Sequence, residues 1–312
     1  MNRTEVLKRI RENVDILSTS GNEYTAPQRE TSPSVASLEE AMRLLRLVVF
    51  PGFFGAKQEA EASSIQYYAG VYLEKIYDLL QEQICNGLYF ETGKCPNARE
   101  QASRMAIEFI GRIPHIKHLL STDVRAILDG DPAAKSVSEV IFSYPATLAI
   151  LYQRAAHELL LIGVPIIPRI ITEAAHSKTG IDIHPGADIG EYFAIDHGTG
   201  VVVGETAVIG SHVRLYQGVT LGAKKYMLDE NGQPINLPRH PVIEDHVTIY
   251  SNTSVLGRIT IGRNSVIGGN VWLTRSIPPG SKILQGSIVE HKQPVRPSGL
   301  LQDLHTDFGG GI

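Results

Sequence analysis

Cysteine is scarce in this 312-residue sequence, which contains only Cys85 and Cys95. Two thiols cannot form the disulfide framework of a small secreted protein, so we interpret them as ordinary thiols in a reducing compartment. The N-terminus is a charged amphipathic stretch and lacks the apolar core of a secretory signal. These two absences predict a cytoplasmic protein.

A strong excess of one charge is also absent, because 29 Lys and Arg residues stand against 33 Asp and Glu residues. The net charge of −4 gives no electrostatic reason to expect nucleic acid as a partner. The longest apolar run, near residues 159–168, is too short to cross a bilayer and contains Gly163 and Pro165. We therefore expect neither a nucleic acid nor a membrane as a partner.

The first part of the chain has the apolar periodicity of helices. The capping box Ser37-Leu38-Glu39-Glu40 predicts that a helix opens there, and Gly87 is expected to end the next one. The helix that ends at Gly87 is expected over 57–86, and the remaining ones over 1–17, 97–112, 122–129, 144–161 and 166–177. Residues 18–36 are rich in Ser, Thr, Pro and Asn, which indicates a linker. We therefore predict an extension and linker over 1–36 and an all-helical domain over 37–180.

A six-residue repeat replaces this periodicity from residue 181 to residue 284. Branched aliphatic residues mark its beats, at Ile183, Ile189, Ile195, Val203, Ile209, Leu215, Leu221, Ile243, Ile249, Val255, Ile261, Ile267 and Leu273. A period of six is typical of a β-solenoid in which each hexad forms one short strand and one corner. Three hexads would close a triangular coil, with the aliphatic side chains inside. The fold class expected is α+β, with a solenoid over 181–284 and a tail over 285–312.

The repeat is interrupted twice, and polar residues occupy both interruptions. The step from Ile195 to Val203 is eight residues long and contains Asp196-His197-Gly198-Thr199-Gly200. The second interruption is a polar loop from residue 223 to residue 240 that ends in Pro238-Arg239-His240-Pro241. Long loops in compact repeats are usually functional. We therefore expect chemistry at these two places.

His197 is the first candidate for that chemistry. An accessible imidazole that titrates near neutral pH suits a general base acting on an alcohol. A surface histidine at a bulged turn is the alternative. Asp182 lies fifteen residues earlier, close to one coil, so its carboxylate could orient the imidazole. Taken alone, Asp182 could equally be a cap or turn residue.

The solenoid contains two other groups of polar side chains. Five histidines fall in the solenoid, namely His184, His197, His212, His240 and His246. No cysteine joins them and their spacing does not fit a zinc site, so we expect no metal. The basic residues Lys224, Lys225, Arg258, Arg263 and Arg275 could meet phosphates or could form a solvated face.

Several segments, in this order, resemble the serine O-acetyltransferases, a family of hexapeptide-repeat acyltransferases. They are Asp131-Pro132-Ala133, Arg154 and His157, Ile183-His184-Pro185-Gly186, the run from Asp196 to Ala207, the run from Gln217 to Gly222, and Arg239-His240-Pro241. The resemblance covers about residues 120–285 and the extreme C-terminus. It implies a left-handed parallel β-helix, trimers that often pair into hexamers, and acetyl transfer from acetyl-CoA to L-serine. That reaction is the first step of cysteine synthesis from serine.

The resemblance also assigns roles to residues of this sequence. His197 matches the general base and Asp182 its orienting partner. Asp131, Asp196, Arg239 and His240 match positions that bind the amino acid, and His240 could come from a neighbouring subunit. Gly222, Ala223, Ser251 and Gly269 match the groove for the pantetheine arm. Acetyl-CoA is expected as a co-substrate without a tightly bound cofactor, and cysteine is expected as an inhibitor in the serine site.

The C-terminal residues 307–312 resemble a tail that inserts a final isoleucine, here Ile312, into the active site of cysteine synthase (O-acetylserine sulfhydrylase). A disordered end is the alternative interpretation of so many glycines. Two other functions stay open at this point. The acceptor could be a sugar or another small alcohol, although Asp131 and Arg239 suit a doubly charged amino acid better. The protein could also serve mainly as a scaffold for cysteine synthase.

Overall fold

The computed structural model describes residues 2–19, 32–55, 62–92, 95–225, 228–230, 232, 235 and 237–286. Seven helices lie within these residues and precede all of the strands. They are α1 (Arg3–Thr19), α2 (Val35–Val49), α3 (Ala62–Thr92), α4 (Ala98–Gly130), α5 (Val137–Ser143), α6 (Pro145–Leu161) and α7 (Ile167–Thr179). None of the described helices is long and apolar enough to span a membrane.

The start of α2 differs from the prediction made from the capping box. The helix begins at Val35, and the side chain of Ser34 is its N-cap, accepting a hydrogen bond from the backbone N–H of Ser37 at 3.2 Å. Ser37 therefore lies inside the first turn. Because Ser34 and Ser37 are three residues apart, either serine could open a helix, and the sequence pattern selected the wrong one.

The prediction that Gly87 ends a helix is wrong. Helix α3 continues through it to Thr92. A Cβ on Gly87 would lie 3.3 Å from the carbonyl oxygen of Pro165 and 3.4 Å from the side chain of Ile166. The glycine therefore permits a close approach between α3 and the segment that leads into α7.

The two helices predicted at 97–112 and 122–129 are one continuous helix, α4, with Pro114 inside it. Apolar residues on both sides of the proline are buried, including Phe109, Ile113 and Ile116. Burial of one long apolar face thus outweighs the local cost of a proline in a helix. The short helix α5 was not predicted at all; Ser136 caps it by accepting from the backbone N–H of Glu139.

Fourteen short strands follow the helices in the described residues, and they form the coils of the solenoid. They are β1 (Asp182–Ile183), β2 (Asp188–Ile189), β3 (Ala194–Asp196), β4 (Val202–Val203), β5 (Val208–Ile209), β6 (Arg214–Tyr216), β7 (Thr220–Gly222), β8 (Val242–Ile243), β9 (Thr248–Ile249), β10 (Ser254–Leu256), β11 (Thr260–Ile261), β12 (Val266–Ile267), β13 (Trp272–Leu273) and β14 (Lys282–Ile283). Every pairing between them is parallel. The expected fold class, helices followed by a parallel solenoid, is confirmed.

The strands make up three sheets, which are the three faces of a triangular prism. The first sheet runs β1-β4-β7-β10-β13, the second β2-β5-β8-β11, and the third β3-β6-β9-β12-β14. Hexad aliphatics fill the interior; Ile195, Leu215, Leu221, Ile249, Val255, Ile261 and Ile267 are all 0% exposed. Each buried side chain of this size contributes about 1.5–3 kcal/mol, so the prism has its own core.

The two interruptions of the repeat lie at corners of the prism. Val202 pairs with Thr220, which is the regular step of eighteen residues. Asp182 pairs with Val202 in a step of twenty, because the corner at 197–200 contains two extra residues. Thr220 pairs with Ser254 only after the long polar loop. The strands therefore stay in register, and the inserted residues project from the corners.

Helix α6 fixes the helices to the first coil through buried polar groups. Arg154, 4% exposed, forms an ion pair with Asp123 of α4 at 3.1 Å and donates to the backbone carbonyls of Ile189 and Gly190. The Asp123 carboxylate also accepts from the backbone N–H of Phe193 at 2.9 Å. Breaking such a buried pair costs about 3–5 kcal/mol, so this contact holds α4 in a defined position on the solenoid.

Candidate active site

His197 lies at the corner between β3 and β4, where the third sheet passes into the first. Its side chain is 75% exposed, and its Nε2 is 3.9 Å from Oδ1 of Asp196. The backbone has a left-handed φ of 57°, and Tyr192, His212 and Asn252 have similar values at other turns of the solenoid. That φ is therefore a property of corners in general, and the distinguishing features of His197 are the inserted residues and its accessible imidazole.

Helix α4 brings Asp131 to the same corner. Asp131 is the C-cap of α4; its Oδ1 accepts from the backbone N–H of Ala133 at 2.8 Å. Its Oδ2 accepts from the Tyr144 hydroxyl at 2.5 Å. The Tyr144 hydrogen bond, the Ala133 N–H and the nearby His197 lower the pKa of Asp131. This carboxylate is therefore charged and suited to bind an ammonium group.

Tyr144 is a member of this site that sequence reasoning missed. Its hydrogen bond to Asp131, burial and the nearby Asp196 carboxylate raise the pKa of Tyr144 to about 12. The hydroxyl is thus a permanent donor that fixes Asp131. A lone tyrosine before Pro145 has no chemical signature in the sequence. The contact exists only because α5 and α6 fold back against the end of α4.

The position of Asp131 also depends on Gly130 and Arg214. Arg214 of β6 donates from Nη2 to the carbonyl oxygen of Ala126 in α4 at 2.8 Å. A Cβ on Gly130 would lie 1.3 Å from that Nη2 atom. With the guanidinium in this position only glycine fits at residue 130, and the hydrogen bond to Ala126 attaches the last turn of α4 to the third sheet. We call the group Asp131, Tyr144, Asp196 and His197 the first corner.

Asp182, the predicted orienting partner, lies at the start of β1. Its carboxylate lies in a cluster with Glu173 and His176 of α7, in which one carboxylate oxygen of each acid and one ring nitrogen of the histidine all lie within 4.8 Å of one another. Within the part of the chain that the structure describes, no hydrogen bond joins Asp182 to His197. The prediction that Asp182 orients His197 therefore remains a prediction. The cluster itself was not foreseen, because Glu173 and His176 belong to a helix outside the repeat.

Arg239 and His240 lie at a different corner, where the first sheet passes into the second. Nη2 of Arg239 forms an ion pair with Oε2 of Glu205 at 2.5 Å. The backbone N–H groups of Arg239 and His240 both donate to the hydroxyl oxygen of Thr206, at 2.8 Å and 3.1 Å. We call Glu205, Thr206, Arg239 and His240 the second corner.

The imidazole of His240 is almost completely enclosed, with 2% exposure. Its Nδ1 accepts from the backbone N–H of Thr206 at 3.0 Å, so a neutral ring carries its proton on Nε2. Burial lowers the pKa of His240 to about 4, and the cation of Arg239 acts in the same direction. Gly204 provides the space, because its Cβ would lie 2.0 Å from Cδ2 of the ring.

The four residues expected to bind the pantetheine arm are divided between the two corners. Ser251 and Gly269 stack on the corner that carries His197, where a Cβ on Gly269 would lie 3.1 Å from the carbonyl oxygen of Ser251. Gly222 ends β7 and accepts from the backbone N–H of Gly257 at 2.9 Å. Ala223 follows it at the start of the long loop, beside a basic pocket lined by Lys224, Arg239 and Arg258.

The predicted site residues thus form two clusters on separate edges of one protomer. Asp131, Asp196 and His197 come together at the first corner, and Arg239 and His240 at the second.

Cys85 and Cys95 are unpaired. Ile312, the residue expected to bind cysteine synthase, lies outside the described residues.

A parallel hexapeptide solenoid with these corners defines a hexapeptide-repeat transferase. The family model "Bacterial transferase hexapeptide (six repeats)" matches residues 240–275. The chain is 51% identical over 264 residues to "Serine acetyltransferase, plasmid" of Synechococcus elongatus, covering 82% of each chain. The protein therefore belongs to the serine acetyltransferase family and is an acyltransferase.

Solved structures agree with this assignment. Serine acetyltransferase isoform 3 of Entamoeba histolytica, solved in complex with cysteine, has a TM-score of 0.68 and 33% identity, covering 91% of this chain and 92% of that one. The Neisseria gonorrhoeae serine acetyltransferase in complex with serine has a TM-score of 0.50 and 26% identity, covering 78% of this chain and 93% of that one.

Proposed function

We propose that this chain acetylates L-serine at a site completed by two subunits, with His197 as the general base. The supporting observation is the separation of two polar clusters on different edges of one protomer. The first corner offers a base and two carboxylates, whereas the second offers a guanidinium and an imidazole. A trimer that places the first corner of one copy against the second corner of the next would combine them.

The chemistry follows from the first corner. The neutral imidazole of His197 takes the hydroxyl proton of serine while that oxygen forms a bond to the thioester carbonyl carbon of acetyl-CoA. The carbon–sulfur bond then breaks, and the imidazolium returns a proton to the departing CoA thiolate. The products are O-acetylserine and free CoA, and the base is regenerated. The Asp182 carboxylate would orient the ring and stabilise the imidazolium during the proton transfer.

Recognition of serine divides between the corners by charge. Asp131 and Asp196 suit the ammonium group, and the low pKa of Asp131 keeps its negative charge at neutral pH. Arg239 suits the carboxylate, because a guanidinium binds it through two parallel hydrogen bonds. Its present partner Glu205 is 34% exposed and holds the guanidinium in place until substrate arrives. His240, whose enclosed ring follows Arg239 in the chain, is proposed to serve the same site as a neutral donor.

Acetyl-CoA is proposed as the co-substrate, bound along the groove of Gly222, Ala223, Ser251 and Gly269. The basic pocket near Lys224 and Arg258 would meet its phosphates. Cysteine, which is bound in the Entamoeba histolytica structures, is proposed to inhibit by occupying the serine pocket. The ammonium and carboxylate groups of cysteine would satisfy both corners, but its thiol replaces the reacting hydroxyl. Action in the cytoplasm, and binding of Ile312 to cysteine synthase, are also part of this proposal.

The test measures free CoA thiol from acetyl-CoA with serine, homoserine, a sugar or no acceptor. Serine should give the fastest release, because only an amino acid engages Asp131 and Arg239 together. Equal release without an acceptor, or faster release with the sugar, would overturn the assignment of the acceptor. Deleting residues 307–312 should leave acetyl transfer intact and abolish binding to cysteine synthase. Full binding after the deletion would remove Ile312 from the proposal.

A further inference from the structure

Glu173, His176 and Asp182 form a cluster that the proposed chemistry does not explain. Glu173 and His176 lie on one face of the last turns of α7, three residues apart. Gly180 then ends the helix with a φ of 68°, and β1 begins at Asp182. This tight connection brings one carboxylate oxygen of each acid and one ring nitrogen of His176 within 4.8 Å of one another, and all three residues are half-buried.

Glu173 is fixed independently of Asp182. Its Oε1 forms an ion pair with Nη2 of Arg169 at 2.5 Å, and its Oε2 is 3.6 Å from Nδ1 of His176. His176 therefore has one carboxylate held beside its Nδ1 and a second carboxylate, that of Asp182, within reach. The backbone N–H of Asp182 donates to the carbonyl oxygen of Val201 at 2.9 Å, so among the described residues Asp182 lies next to α7 on one side and next to the strand that follows the His197 corner on the other.

We propose that His176 is a positioning residue of the acetyl-transfer site, which holds the Asp182 carboxylate and shares its negative charge with His197. The proposal rests on the proposed function, because it assigns Asp182 a role there. His176 does not touch the reacting atoms. It acts by restricting the rotation of Asp182 and by competing, when protonated, for the charge that stabilises a protonated His197.

The charged groups around the cluster are paired with one another, and the neighbouring histidine of the solenoid is neutral. Arg169 and Glu173 face the cluster from α7. Lys178, also on α7, is neutralised by Glu39 of α2 at 2.6 Å. On the solenoid side, burial and Arg169 lower the pKa of His184, while Asp182 acts in the opposite direction. His184 is therefore neutral at neutral pH, and His176 is the histidine whose ring lies within 4.8 Å of the Asp182 carboxylate.

The proposal is tested with His176→Ala and His176→Gln, using initial rates of serine-dependent CoA release from pH 5.5 to 9. His176→Ala should lower kcat about tenfold with the KM for serine within about twofold, because Asp182 loses its restraint. His176→Gln keeps a hydrogen-bond donor and should recover kcat to within about threefold of the native enzyme. In both variants the acid limb of the kcat profile should move up by about half a pH unit, because Asp182 then supports His197 alone.

His118→Gln is the matched control, because His118 also pairs with a carboxylate between a helix and the solenoid, Glu191 at 3.3 Å. It should change neither kcat nor the acid limb. A fall in kcat with an unmoved limb in both His176 variants would indicate a structural role and overturn the proposal, as would native kcat in His176→Ala. The assays are run with and without a chelator; a loss of activity seen only without the chelator would assign the effect to a bound metal ion and also overturn the proposal. Serine-dependent release by the native enzyme tests the proposed function separately.

Discussion

Replacing Gly204 by Ala tests how tightly the second corner holds His240. A Cβ at position 204 would lie 2.0 Å from Cδ2 and 2.1 Å from Nε2 of the imidazole. Carbon atoms in contact stay about 3.5–4.0 Å apart, so the ring must move by more than about 1 Å. His240 is 2% exposed, and its Nδ1 is 2.9 Å from Oγ1 of Thr206. The ring therefore cannot move without losing its hydrogen bonds.

The size of the effect follows from these contacts. Overpacking of a close-packed site costs about 1–3 kcal/mol, and each hydrogen bond lost from His240 adds about 0.5–1.5 kcal/mol. The free energy of unfolding should therefore fall by about 2–4 kcal/mol. Because His240 is proposed to line the serine pocket, a displacement of this size should lower kcat/KM for serine about 100-fold.

Urea unfolding and the CoA-release assay measure the two effects. Gly111→Ala is the control, because Gly111 lies in α4 and a Cβ there meets no atom within 4 Å. That variant should keep its activity and should be as stable as the native protein or up to about 1 kcal/mol more stable. Native stability and native kcat/KM in Gly204→Ala would refute the reasoning.

Three further predictions concern the two corners. His197→Ala should fold normally by circular dichroism and lose about 10²–10⁴ in kcat, since the general base is removed; an active variant would exclude His197 as the base. Tyr144→Phe should raise the KM for serine about tenfold with a smaller change in kcat, because Asp131 loses the donor that fixes it; an unchanged KM would contradict that role. Because the folded pKa of His240 is lowered to about 4, its contribution to stability is complete above the unfolded value of about 6.5 and is lost as the pH falls towards 4. Urea unfolding should therefore show a loss of about 2 kcal/mol between pH 7 and pH 5 that is absent in His240→Asn; equal losses in both proteins would contradict it.

The solenoid could be predicted from the sequence because its signal is local and repeated. Each hexad places one aliphatic residue inside the prism, so the six-residue period of the sequence is also the period of the strands. The helices were predicted less well. Two helices, 97–112 and 122–129, were expected where tertiary burial keeps α4 continuous through Pro114. Gly87 indicated an end, yet it serves the close packing of α3 against Pro165. Local sequence rules therefore misplace helix ends where contacts between distant segments determine how far a helix continues.

The candidate site shows the same division. His197 and Arg239 could be identified because each lies at an interruption of the repeat. Tyr144 and His176 could not be identified, because they lie in the helical part of the chain, where the sequence carries no repeat. They reach the solenoid only through the way that α4, α6 and α7 pack on the first coil. The resemblance to a family named the other residues, but it contained no information on these two.

The central claim, a serine site shared by two subunits, is tested most directly by mixing inactive variants. His197→Ala lacks the base of the first corner, and Arg239→Ala lacks the cation of the second. Unfolding and refolding them together in equal amounts should restore about a quarter of native serine-dependent CoA release, the statistical share of intact sites in a mixed trimer. Each variant refolded alone should stay inactive. No recovery in mixed trimers whose composition has been verified would show that the two corners do not act together across a subunit boundary.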